Sequence, residues 1–200
     1  VEVPENCVPA AIATVSGDVY LPALKMDGGL TLATTSGNVG IEEGFELGGD
    51  MSVATTSGDL TVKGSFEGDF DLSTTSGGLR FSGEAASFKA ESVSGDMDLS
   101  GSVFAGRTEL ESTSGEMKAN GLSVGSLKIH TVSGDVTISG LESSEIDVDT
   151  TSADVRLKLS DPDGFRYDLK STSGDNRSPY GSPSGALCRV RTTSGDIEID

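Results

Sequence analysis

The chain has no tryptophan, and only 5% of its 200 residues are aromatic, so bulky side chains are too few to fill one thick globular core. Cysteine is nearly absent. Cys7 and Cys188 form no CxxC pair, zinc cluster or disulfide framework. The single histidine, His130, leaves little material for histidine-based acid–base chemistry. No apolar run approaches the roughly 18 residues of a membrane span, and the opening VEVPENCVPA has neither a basic nor an apolar signal region. The segment is therefore expected to be soluble and not to insert into a membrane by itself. Basic residues are also scarce, 14 against 32 acidic ones. The formal charge of −18 would repel phosphate backbones, which argues against a nucleic-acid partner.

What remains is 34% hydrophobic content, too much for a disordered chain, and 27 glycines. These residues recur in a pattern. A Ser-Gly pair, once Ser-Ala, places its second residue at Gly17, Gly37, Gly58, Gly77, Gly95, Gly115, Gly134, Ala153, Gly174 and Gly195. That makes ten copies of a repeat of roughly 20 residues, the period of solenoids and arrays. With that residue as position zero, position −1 is always Ser and position −2 always β-branched. Apolar residues fall at −7 and −5, as in Leu30 and Leu32 or Phe70 and Leu72, and at +2 and +4, as in Leu60 and Val62 or Ile197 and Ile199. A spacing of two predicts strands.

Each copy reads as a strand, a Ser-Gly-Asp corner, a second strand and a variable return segment. Stacking at about 4.8 Å per strand would bury the single apolar face that one coil cannot bury alone. The expected fold is all-β: one single-stranded parallel β-helix (β-solenoid) over residues 1–200, right-handed because parallel crossovers default to that hand. Position −3 shares the inward parity and is Thr or Ser in every copy, so a ladder of hydroxyls bonded from rung to rung is expected. Cys7 and Cys188 would lie about nine rungs apart, too far for a disulfide, with Cys188 a small core residue. Repeat nine departs most, with Asn176 where others are apolar and the loop-like RSPYGSPSG from Arg177 to Gly185. A loose rung or protruding loop is expected there.

The TTSGD unit and the ending RTTSGDIEID resemble a bacterial family of β-strand-repeat domains of unknown function that carries an adhesin label, over Thr14 to Asp200. The resemblance implies a parallel β-helix in an extracytoplasmic protein, secreted or on the cell surface, with some relatives linked to envelope-stress operons. It implies no catalytic residue and no cofactor.

The most regular polar feature is the column at +1: Asp18, Asp59, Asp96, Asp135, Asp154, Asp175 and Asp196. Asp favours such corners by bonding nearby amides in an Asx-type turn. A calcium ion bridging two rungs is the alternative, although two carboxylates supply few of the six to eight oxygens required. The outward Thr column at −2 lacks the second Thr column that ice binding uses, since −3 turns inward. A polysaccharide-processing enzyme is the other class hosted by β-helices. Here the Ser residues at −1 have no base beside them and no long loops build a cleft.

A rigid rod with a repetitive face gains avidity from a repetitive partner, so glycan, envelope polymer or a surface protein is the expected ligand class. An exposed return-side cluster of aromatics such as Phe45, Phe66 and Tyr180 would favour carbohydrate or protein binding, whereas a uniformly polar rod would favour a spacer; a structural stalk or stress-sensing domain working by protein contact is the alternative. The chain stops at Asp200 after a full repeat strand, so an uncovered last rung and end-to-end association are also expected.

Overall fold

The computed structural model describes residues 11–200, and Cys7 lies outside them. Strands occupy most of this span, and every pairing among them is parallel. The alternation of buried and exposed side chains has period two, as in Leu60–Ser76 and Leu79–Ser94, which run around corners without a break. Repeats one to eight stack in chain order. Ser36 pairs with Ser57, Ser57 with Ser76 and Ser76 with Ser94, so the corners superpose.

The Ser-Gly corner is confined by its neighbours. Gly134 has φ of 134°, and a Cβ there would lie 2.9 Å from the Gly115 nitrogen and closer still to its carbonyl. Only glycine accepts both conditions. Ala153 stands at the same place in repeat eight without a positive φ, as alanine requires.

The interior is one continuous hydrophobic cluster along the axis. Its widest part is a file of phenylalanines with ring centroids 4.4 Å apart for Phe66 and Phe70, 4.8 Å for Phe81 and Phe88, and 4.5 Å for Phe88 and Phe104. Phe45 and Phe66, whose exposure would have favoured a recognition patch, belong to this interior at 0% and 2% exposure. The return segments that carry them are themselves strands, so a residue read as loop is turned inward by sheet parity. Tyr180 alone of the three is exposed.

The stacking order changes at the far end. Repeat ten (Ala186–Ser194 and Ile197–Ile199) pairs on one side with repeat eight (Ile146–Ser152 and Val155–Leu159). On its other side it pairs with repeat nine (Phe165–Ser173 and Asn176–Arg177). The rungs therefore run eight, ten, nine. The chain turns in the same sense but steps backwards from nine to ten. That connection consequently has the opposite hand to the other coils, against the strong preference for one hand.

This order bears on what was expected of the last repeats. The loop expected after Arg177 is present as the irregular segment Ser178–Gly185, with Tyr180 fully exposed, while the strands of repeat nine form the end rung. Asn176 is exposed because, among the described residues, no strand pairs with its outer side. Repeat ten, expected to end the rod uncovered, is enclosed, with Cys188, Val190, Ile197 and Ile199 all at 0–1% exposure. The open strand edge at this end belongs to repeat nine instead of repeat ten.

Cys188 is a free thiol in the core, and burial pushes its pKa up to about 12, as expected of an inert core residue.

Candidate functional site

The aspartate column is a set of clips between rungs. Asp18 Oδ1 accepts the Asn38 amide at 2.8 Å, Asn38 Oδ1 accepts that of Asp59 at 2.9 Å, and Asp59 Oδ1 accepts that of Gly78 at 2.8 Å. Asp96 takes Glu116, Asp135 takes Asp154, Asp154 takes Asp196 and Asp196 takes Asp175, at 2.9–3.0 Å. The bond joins neighbouring rungs and does not close an Asx turn within one corner, which corrects the local reading. A charge-assisted bond of this kind satisfies a corner amide that no strand partner reaches. It uses one oxygen of each carboxylate. Among the described residues no group of three or more His, Cys, Asp or Glu side chains is placed to hold a metal ion.

The inward hydroxyls behave differently from expectation. Thr34, Thr55, Thr74, Ser92, Ser112, Thr131 and Thr150 are buried at 0–9% exposure, yet their oxygens have no hydrogen-bond partner. Rung spacing keeps each hydroxyl apart from the next, so the ladder does not form. Ser171 and Thr192, beside the altered stacking order, do find carbonyls, at Gly195 (3.0 Å) and Ser194 (3.1 Å).

Outward side chains at −4 and −2 of repeats four to seven line an open trench of about 440 Å³, with Thr55 of repeat three at its edge. Its walls carry Thr75, Glu91, Val93, Glu111, Thr113 and His130. His130 projects outward, as its parity predicts, and its strand neighbours on adjacent rungs are Glu111 and Asp149. Val93 and Val132 are 50% and 43% exposed on this face. A second trough, of about 490 Å³, lies at the opposite corner, where Gly44, Gly64, Gly83 and Gly101 leave the backbone uncovered between Glu43, Lys63 and Glu84.

A file at −6 was not read from the sequence. In spatial order it runs Asp71, Lys89, Glu109, Lys128, Asp147, Arg189 and Asp168, alternating in sign at every step. Chain order would set Asp168 directly beside Asp147. Instead Arg189 stands between them, 3.3 Å from Asp147 and 3.7 Å from Asp168. Lys128 bonds Glu109 at 2.8 Å, which holds that carboxyl below its ordinary value and raises the lysine. The signal was present as charge alternation, but it is legible only once the rung order is known.

A stack of parallel coils with Ser-Gly-Asp corners defines a repeat family, and the family match covers residues 49–200 as Toastrack DUF4097. The chain belongs to the Toastrack DUF4097 family. No curated protein and no solved structure matches this chain. The Toastrack match begins within repeat three, yet repeats one and two continue the same stack with the same pairings, Leu30 on Met51 and Val19 on Val39. No helix among the described residues is long and apolar enough to cross a membrane.

Proposed function

We propose that this Toastrack chain is a non-enzymatic binding module of adhesin type, extracytoplasmic in a bacterium, that holds a glycan or envelope polymer along its outer trench. The observation that carries this reading is the trench itself. It presents Glu91, Glu111 and His130 on consecutive rungs, with Val93 and Val132 exposed between threonines. Carboxylates accept bonds from sugar hydroxyls, while valine and threonine methyls pack against the C–H faces of a sugar ring. Position −2 puts a threonine or valine methyl on each of these rungs, and a polymer of repeating units turns weak contacts into avidity. The acidic surface disfavours nucleic acid and anionic polymers. Extracytoplasmic placement and the adhesin role follow the family resemblance of the repeat motif.

Glycan-array binding, with pull-down on insoluble envelope polymer, tests the reading. The unmodified chain is expected to bind at least one repetitive neutral or amine-bearing glycan. A Glu91→Gln, Glu111→Gln, Val132→Glu triple variant should lose about tenfold in apparent affinity. Absence of glycan binding, or equal binding by the variant, refutes the trench. A protein-contact role, as stalk or stress sensor, is favoured by one feature, the fully exposed Tyr180 on the loop beside the end rung.

A further inference from the structure

The slot filled by repeat ten has two walls that match each other. Ile146, Cys188 and Tyr167 are stacked partners, and so are Ser152, Ser194 and Ser173. Repeats eight and nine thus meet repeat ten in the same register. Removing repeat ten leaves two parallel edges already aligned for pairing. The corner clips show the same degeneracy, because Asp154 accepts the Asp196 amide and Asp196 accepts the Asp175 amide.

We infer that repeat ten is a latch: a displaceable strand pair that alternates between its slot and an open state in which repeat nine closes directly onto repeat eight. Three features of the chain support exchange at this place. The link from nine to ten is the irregular segment Ser178–Gly185, with two prolines and two glycines, held to the end rung by one backbone bond from Ser182 N–H to the Phe165 carbonyl at 2.8 Å. The step it makes has the opposite hand to every other coil, so it gains nothing from the preferred crossover geometry. The end rung is thinly packed, with Tyr167 and Leu169 only partly buried and Asn176 exposed, so moving it by one rung breaks few apolar contacts.

Charge sets the bias. In the open state Asp168 takes the place of Arg189 beside Asp147, a like-charge pair directly across a strand pair. Arg189 in the slot contacts both carboxylates, and Arg191 adds a contact of 3.6 Å to Asp168. Opening releases a strand pair whose inward face is Cys188, Val190, Ile197 and Ile199.

Paired cysteines on the corner column report the state directly. Rungs one step apart lie at about 4.8 Å, within the disulfide range, and rungs two steps apart at about 9.6 Å, outside it. In a Cys7→Ser, Cys188→Ala background that retains its β circular dichroism, Asp154→Cys with Asp196→Cys should oxidise at once within the molecule. Asp154→Cys with Asp175→Cys, two steps apart while the latch is closed, should oxidise more slowly. It should still do so at least tenfold faster than the control pair Asp96→Cys and Asp135→Cys, which has the same two-step spacing. Adding Arg189→Glu should speed the 154/175 pair by a further tenfold and leave the control unchanged. A 154/175 rate equal to the control overturns the latch. Immediate 154/175 oxidation with none at 154/196 overturns the rung order itself.

Discussion

Repeats one to eight and the terminal group of eight, ten and nine are made from the same motif but held together differently. Up to residue 153 the sequence has 24 acidic and seven basic side chains; after it there are eight and seven. The long acidic section holds the phenylalanine file in its interior, and the alternating charges at −6 run along its outside from Asp71 to Asp147. The terminal section has a thinner core and carries half of the basic residues, and there Arg189 and Arg191 connect three rungs. Where apolar cross-sections differ little from rung to rung, charge selects the neighbour.

The widest contrast lies in the core. Phe81→Ala, in the middle of the aromatic file, should cost about 3–5 kcal/mol in urea unfolding. Leu169→Ala in the half-buried end rung should cost about 1 kcal/mol. Equal losses would mean that the end rung is as well packed as the centre.

The same inward position in two repeats sharpens the comparison. Val155→Asn buries an unpartnered amide and should cost about 3 kcal/mol, whereas Asn176→Val should stay within about 0.5 kcal/mol. A large stabilisation by Asn176→Val would place repeat nine in the interior, in plain chain order.

Alkaline stability probes the enclosed repeat alone. The Cys188 thiol moves from an ordinary 9.0 to about 12 in the folded chain, so the folded state keeps a proton that the unfolded state loses. Stability from this group is intact below pH 9 and is lost as pH rises from 9 towards 12. At pH 10.5 the loss should be about 2 kcal/mol, read by urea melts, and Cys188→Ala should remove that component. Tyr167, raised from 10.0 to about 12 chiefly by burial, contributes a smaller slope of the same sign in both chains.

The smallest effect concerns the charge file. Arg189→Glu should cost about 1 kcal/mol at low salt and less at high salt, since the pairs are partly exposed. Lys128→Glu, in the ordinary stack, should cost no more than that. If Arg189→Glu were silent, charge would not order the terminal rungs.

The solenoid was legible because its signals are local: apolar spacing of two, a glycine that must turn, and a period of about 20 residues. His130 outward and Cys188 inward followed from parity alone. The corner aspartates were legible as structural groups but not as inter-rung clips, since their partner amides lie 19–21 residues away in most repeats and 42 away at the insertion. The burial of Phe45 and Phe66 was not legible because the return segments vary in length and hide their own parity. The trench drew on residues at −4 whose identities change from repeat to repeat, so no column stood out in the sequence.

Taken by itself, the sequence determined the secondary structure, the coil and the inward face, because strand parity and turn chemistry act between residues close along the chain. The order of the last three rungs was decided only in the folded molecule. Repeats of one design offer each other nearly identical edges, and backbone pairing accepts any of them. The choice falls to side chains that meet across rungs, such as Arg189 between Asp147 and Asp168, and to the exposure of Asn176 at the end.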